Sequence, residues 1–525
     1  MDGEGTADFS SAALAESHSA VVVFVGDRAY KVKKPVDLGF LDFTTVRARE
    51  EACRRELELN RRLAPDVYLG VRHVVDDAGD TRDWVLVMRR MPSARRLSTL
   101  VEAGVDVRRD LRELARLLAA FHARAPRDAK VAAAGRPAAL LRRWRDNLAG
   151  TEPFVGGVLD PATVAEIDRL VQRYVGGRGA LLDSRARAGL VVDGHGDLLA
   201  DDVFCLPDGP RVLDCLEFDD SLRYVDGVDD AAFLAMDLER LGAPDLAESF
   251  LGWYGEFTGG LPVASLVHHY VAYRAFVRAK VACLRYRQGM APAQATARQL
   301  AALALDHLRA GEVRLVLVGG LPGTGKSTVA GALADRLGAV VLRTDQIRRE
   351  IRREGRGEIH PEQPSPRLPA PRGESGGVRG ESGYGRGRYT PARVHAAYRE
   401  LLTRARRLLA RGDSVVLDAT WKDAAERDAA RRLARDTSST LTEVRCVAPA
   451  DIGERRIRAR VRDLSEATVE VARRMERTYA PWPQAVEIDC AGRPEDALAA
   501  AWAAVRDPTQ TGLSVGSPTV SPPTT

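Results

Sequence analysis

Val313-Arg-Leu-Val-Leu-Val-Gly-Gly-Leu-Pro-Gly-Thr-Gly-Lys-Ser-Thr328 decides the reading of this chain. Its first half is an apolar, β-branched run, the pattern of a buried strand. Gly320-x-x-x-x-Gly325-Lys326-Ser327 follows, then helical apolar spacing through Leu337, with Gly338 placed to cap the helix. A strand, a glycine-rich loop and a helix in that order let backbone N–H groups curl around a polyphosphate, helped by the positive end of the helix. Gly320, Leu321, Pro322, Gly323, Thr324, Gly325, Lys326, Ser327 and Thr328 are therefore expected to bind a nucleoside triphosphate, ATP. In that expectation Lys326 reaches the outer phosphates and the Ser327 hydroxyl joins the coordination shell of Mg²⁺.

Around that stretch lie 525 residues, enough for two or three domains, and a 45% apolar content that supports real cores. A net charge of +5 and a pI near 8.9 neither demand nor exclude nucleic acid. Arg404-Ala-Arg-Arg407 falls within a helical pattern and reads as a solvated face. The cysteines (53, 205, 215, 283, 446 and 490) form no C-x-x-C pair, which suits reduced thiols in a cytosol better than disulfides or a zinc site. The first residues lack an apolar signal core, and no run approaches the ~20 apolar residues that span a bilayer. A soluble, cytoplasmic protein without a membrane partner is expected.

Residues 21–34 read as two short strands around a Gly-Asp turn, 46–63 as a helix, and Asp83 to Arg89 as a strand. The pattern is mostly helical from about 108 to 175 and again from 228 to 308. Between these stretches Leu190–Asp193 and Arg211–Asp214 look like short strands flanking a polar loop. The strand at 313 opens a unit of alternating strands and helices, with later strands at Ala339–Leu342, Ser414–Leu417 and Thr442–Val447, the pattern of a parallel sheet. The expected domains are 1–308 and 312–505. A Gly-, Pro-, Arg-, Glu- and Ser-rich segment, 353–388, reads as a disordered insert and 506–525 as a disordered tail.

The first half carries its own constellation. His195-Gly-Asp197-Leu-Leu-Ala-Asp-Asp202 precedes Val212-Leu-Asp214-Cys-Leu-Glu217. Carboxylates following short strands at this spacing suit phosphoryl transfer, one orienting the attacking hydroxyl and others holding Mg²⁺. Upstream, Ala29-Tyr-Lys31 sits on a strand with Ala29 and Lys31 on one face, as in the V-A-I-K motif of protein kinases, and Glu56 on the next helix is placed to pair with Lys31. On these residues the N-terminal part resembles the aminoglycoside phosphotransferase family, a branch of the protein-kinase-like fold whose hallmark is H-G-D-x-x-x-x-N. The resemblance implies an α+β domain in which Lys31 binds ATP phosphates, Asp197 is the catalytic base and Asp214 a metal carboxylate. Asp202 stands where the family has asparagine, an oxygen ligand with an added charge, and Glu217 competes with Asp214 for the metal role. Arg274 and Arg278, one helical turn apart, either grip an anionic substrate or lie on a solvated face.

A P-loop alone names no reaction. Here Arg343-Thr-Asp345-Gln-Ile-Arg348 follows the next strand, and a similar D-x-x-R in polynucleotide kinases and zeta-toxin-like kinases supplies a base and a substrate-binding arginine. The alternative is a helix cap with a surface arginine. Val415-Val-Leu-Asp418 resembles the strand-end acid that positions Mg²⁺ through water, and Arg455-Arg-Ile-Arg458 resembles an arginine-bearing lid, with Arg455 and Arg458 the expected phosphate contacts. The whole resembles bifunctional proteins that fuse an aminoglycoside-phosphotransferase-like domain to an α/β P-loop kinase-like ATPase domain. That implies an ATP-dependent kinase acting on a hydroxyl of a small molecule or nucleotide. The alternative function is an ATP-dependent regulatory or interaction protein whose kinase-like half is a recognition module.

Overall fold

The computed structural model describes residues 13–16, 19–37, 42–354, 390–459 and 467–506. The expected insert, 353–388, falls outside them except for its first two residues, which end a helix. Only Arg506 of the expected tail lies within them. The chain divides into two compact units, one running to Gly311 without Gly176–Arg178, the other beginning at Glu312.

The first unit opens with β1 (Ala13–Glu16), β2 (Ala20–Val25), β3 (Arg28–Lys33), β4 (Tyr68–Val75) and β5 (Thr81–Arg89). They form an antiparallel sheet in the order β1-β2-β3-β5-β4. Ala29, Leu86 and Met88 point to one face by strand alternation, and Cys53 and Leu57 of the helix Val46–Asn60 pack on them. Thr45 starts that helix by accepting the Ala48 amide at 3.1 Å.

The remainder of the unit is largely helical, including Arg108–Arg124, Gly227–Arg240, Ala264–Arg287 and Ala293–Ala310. Two small antiparallel pairs interrupt it: β6 (Val191–Asp193) with β9 (Tyr224–Asp226), and β7 (Val203–Leu206) with β8 (Gly209–Val212). His195, Gly196 and Asp197 lie between β6 and β7, and Asp214 lies just past β8. A sheet above a helical half, with polar loops between them, is the α+β protein-kinase-like fold.

The second unit is an α/β P-loop fold. Its strands β10 (Arg314–Gly319), β11 (Val340–Arg343), β12 (Val415–Asp418), β13 (Thr440–Val447) and β14 (Val486–Asp489) form a parallel sheet in the order β11-β12-β10-β13-β14. Val316, Val318, Val416 and Val444 face a core closed by the helices Lys326–Leu337 and Pro494–Arg506. Leu315, Leu317, Val415 and Leu417 alternate onto the opposite face and are also fully buried. The expected strand at Ala339 begins one residue later. Gly338 ends the helix with φ 60°, and the Ala339 amide still donates to Ala334 O at 2.9 Å, so that residue belongs to the cap. Because β10 is central and its neighbours leave it in opposite directions along the chain, its C-terminal end is the point where a ligand crevice opens.

Candidate functional sites

At the end of β10 the chain turns through Gly320 (φ 139°) and Gly323 (φ 88°). A Cβ on Gly320 would collide with Cys446 O and Thr324 Oγ1, and one on Gly323 would collide with Gly453 O, so these two positions admit only glycine. Thr324 closes the loop by donating its hydroxyl to Leu321 O at 2.9 Å. Among the described residues the amides of Gly323, Gly325, Lys326 and Ser327 donate to no backbone carbonyl, and they lie at the start of the helix Lys326–Leu337. Lys326 is 8% exposed, yet no carboxylate among the described residues lies within ion-pairing distance of it. A buried cation beside unsatisfied amides is an arrangement completed by an anion.

Around the loop, Asp418 at the end of β12 is buried and lies 3.6 Å from Arg343 Nε, its register partner on β11. Asp345 starts the helix Thr344–Glu354 and accepts from Arg348 Nη1 at 3.1 Å. The Arg348 side chain is 15% exposed, so this arginine is not the surface residue of the helix-cap alternative. Thr420 O accepts from the Gly320 amide (3.3 Å) and from Tyr479 Oη (2.9 Å), tying the segment after β12 to the P-loop. Trp421 takes a left-handed φ of 52°, held by its amide donating to Tyr398 Oη (3.0 Å) and its indole to Leu417 O (3.3 Å). Its ring and that of Trp482 close on Gly319, leaving no room there for a side chain.

Arg455 and Arg458 lie on the exposed side of the helix Ala450–Arg458, paired with Asp451 and Glu454 one turn away at 3.1 Å each. Arg456, between them, reaches the loop. Its Nη2 donates to Cys490 O at 2.8 Å, its Nη1 is buried without a partner among the described residues, and a Cβ on Gly325 would be 3.7 Å from that Nη1. Sequence reasoning passed over it because three arginines in four residues carry no facing information until Cys490, 34 residues away, is folded beside them.

In the first unit, Lys31 Nζ donates to Glu56 Oε1 (2.7 Å) and Asp214 Oδ1 (2.8 Å). Burial works against its charge, but Asp214, Glu56 and Glu217 outweigh that and hold its pKa well above the ordinary lysine value. Lys31 in turn holds the Asp214 carboxyl below the usual range. Lys33 pairs with Glu56 (2.7 Å) and Glu217 (2.6 Å), so Glu217 is committed to a buried lysine, while Asp214 lines an open cavity. Asp214 has φ 63°, kept there by its amide donating to Tyr68 Oη (3.1 Å) and by the next amide donating to Asn60 Oδ1 (2.9 Å).

Asp197 sits at the mouth of a loop built from below by acids of the helix Gly227–Arg240. Asp230 accepts the amides of His195 (2.7 Å) and Gly196 (2.9 Å) and pairs with His122 Nε2 (2.9 Å), and Asp237 accepts the Ala200 amide (2.9 Å). Both are buried. Acids inside the apolar run Val228-Asp-Asp-Ala-Ala-Phe-Leu-Ala-Met-Asp237 were the signal for this role. Arg274 is 3% exposed and bonds Asp229 Oδ1 (2.7 Å) and Gly196 O (3.1 Å), so it does not lie on a solvated face. Arg278 Nη1 lies 3.6 Å from Asp197 Oδ1. Burial raises the Asp197 carboxyl pKa against the pull of Arg278 and His195; burial, Asp214 and Asp197 raise that of Asp202 further.

Lys31, Asp202 and Asp214 line a cavity of about 860 Å³ together with apolar Phe24, Ala29, Met88 and Phe204 and charged Arg90 and Arg96. Among the described residues no three His, Cys, Asp or Glu side chains are gathered as a metal site. The six cysteines are free and buried, and no helix among the described residues is long and apolar enough to cross a membrane.

A family model described as an AAA domain matches residues 315–482. The uncharacterized protein Rv2004c of Mycobacterium tuberculosis is 45% identical over 488 residues, covering 93% of this chain and 94% of that protein, and Mb2027c of Mycobacterium bovis matches equally. Among solved structures, the GDP complex of aminoglycoside 2'-phosphotransferase-IIIa is 14% identical, with a TM-score of 0.37, over 58% of this chain and 94% of that one. The Mycobacterium tuberculosis APS kinase CysC, in complex with AMPPNP and APS, is 19% identical, with a TM-score of 0.26, over 37% of this chain and 99% of that one.

Proposed function

We propose that this chain, which belongs to the family of Rv2004c and Mb2027c, is a cytoplasmic ATP-dependent phosphotransferase acting on a hydroxyl of a small molecule or nucleotide. The observation that carries the reading is Lys326, a buried lysine with no carboxylate partner among the described residues, set among loop amides that donate to no carbonyl there. In the second unit these groups bind the β- and γ-phosphates, and Arg456 Nη1 adds a third cationic donor. Asp345 accepts the proton of the acceptor hydroxyl, and Arg348 fixes its carboxylate. In the first unit Lys31, positioned by Glu56, binds phosphate, and Asp197 is the base.

Mg²⁺ is the cation expected at both sites. Ser327 with Asp418, and Asp202 with Asp214, offer hard oxygen donors, too few for a closed cage and so in keeping with a cation that also binds phosphates and water. When bound it would neutralise phosphate charge.

A second reading is favoured by one observation. Asp202 adds a carboxylate where Asp197 and Asp214 already crowd, which opposes phosphate binding and suits a first unit that recognises a substrate without turning it over. Incubation with labelled ATP and a panel of metabolites, sugars and oligonucleotides tests both. A labelled acceptor is expected, and phosphate release indifferent to every acceptor would instead favour a nucleotide-driven switch. Lys326→Ala is expected to remove most ATP turnover. Turnover that survives it and vanishes in Asp197→Ala would reverse the ranking of the two sites.

A further inference from the structure

Arg274, Arg278 and Arg285 lie four and seven residues apart on the helix Ala264–Arg287, which puts them on one stripe of its surface. Arg274 is spent on Asp229 and the Gly196 carbonyl. The other two are not spent. Arg278 approaches Asp197 at 3.6 Å, a charge contact without a hydrogen bond, and no side-chain hydrogen bond of Arg278 or Arg285 occurs among the described residues. No carboxylate among those residues lies within 4 Å of Arg285, which is exposed; partial burial and then the like charge of Arg278 lower its pKa against the pull of Asp197 and Asp201.

The surroundings of Asp197 are therefore divided. Asp201, Asp202 and Asp214 line the nucleotide cavity, whereas Asp197, Arg278 and Arg285 do not. The acceptor has to approach from the side that the nucleotide leaves free, and that side presents two guanidiniums. Forked N–H donors with no protein acceptor match the paired oxygens of a phosphate or carboxylate.

We infer that the acceptor of the first unit is a small hydroxylated anion, its phosphate or carboxylate held by Arg278 and Arg285 with its hydroxyl at Asp197. This rests on Asp197 being the base of a phosphotransfer site. In the step, the hydroxyl proton passes to Asp197, the acceptor oxygen bonds the γ-phosphorus, and the bond from that phosphorus to the bridging oxygen breaks to release ADP.

The test uses the full chain carrying Lys326→Ala, so that turnover at the P-loop is silenced. Labelled ATP is supplied with matched sets of polyols, polyol phosphates, aldonic acids and amino sugars. Equilibrium dialysis separately measures binding of inorganic phosphate. Product is expected only from the phosphates or the acids, and which of the two identifies the anion. Adding Arg278→Gln and Arg285→Gln should lower kcat/KM for those acceptors by about 100-fold or more, mostly through KM, and should weaken phosphate binding. Preference for amino sugars or neutral polyols overturns the inference. So does an equal loss of kcat with every acceptor, which would assign the arginines to the transferring phosphoryl group, and so does phosphate binding indifferent to both arginines. Arginine-dependent phosphate binding with no labelled product from any acceptor leaves the anion subsite standing and removes the phosphotransfer reading of this unit.

Discussion

At the scale of single residues, both sites spend backbone strain beside an acid. Asp214 is itself left-handed, and Trp421, three residues past Asp418, is the same. Each such conformation costs on the order of 1–3 kcal/mol and persists only where neighbours over-determine it, here through Tyr68 with Asn60 and through Tyr398 with Leu417. Arg456 is the residue-level prediction. Its buried Nη1 lacks a partner among the described residues, whereas Arg455 and Arg458 are solvated and paired within their own helix. Arg456→Ala should weaken ATP binding by about 10-fold or more, and Arg455→Ala or Arg458→Ala should change it by less than about threefold, as measured by calorimetric titration. The P-loop residues were legible in the sequence because their chemistry is local, with loop, lysine and hydroxyl consecutive. Arg456, Arg285 and Asp230 were not, since each owes its place to residues tens to hundreds of positions away.

At the scale of elements, the helix Gly227–Arg240 is the support on which the Asp197 loop is built. It is buried from Gly227 through Leu238, and three of its acids reach out to the loop amides, His122 or Arg274. Asp230→Ala strands two buried amides and His122 at once. It should cost about 3–5 kcal/mol in urea unfolding, far more than removal of an exposed pair such as Arg47 with Glu51. Strands with uninterrupted apolar runs, β10 and β12, could be read directly. The edge strand β4 could not. Its second half, from Arg72 onward, is exposed, and Gly70, Arg72 and His73 break any alternation. β14 was missed for a different reason: its four residues, Val-Glu-Ile-Asp, are too few to set a period.

For the whole molecule, acid stability follows from histidines kept neutral inside the first unit. His269 stacks on Tyr174 with ring centres 4.4 Å apart and accepts the Trp144 indole N–H at 3.1 Å. Burial pushes its pKa down to about 3, and burial with His307 pushes that of His268 down to about 4. In the unfolded chain both titrate near 6.5. Below that value the unfolded state binds protons that the folded state refuses. The stability these groups contribute is thus complete above about pH 6.5 and is lost as pH falls toward 4. Denaturation midpoints at pH 7 and pH 4.5 should show a smaller acid loss in His269→Phe than in the parent, despite its lower starting stability. An equal loss would mean that His269 does not refuse the proton.

Trp421 and Trp482 close over Gly319, the last residue of β10 before the phosphate loop. The molecule thus carries two buried fluorophores against the segment that an arriving nucleotide would stiffen. Their emission offers an intrinsic, label-free optical signal of occupancy at that loop.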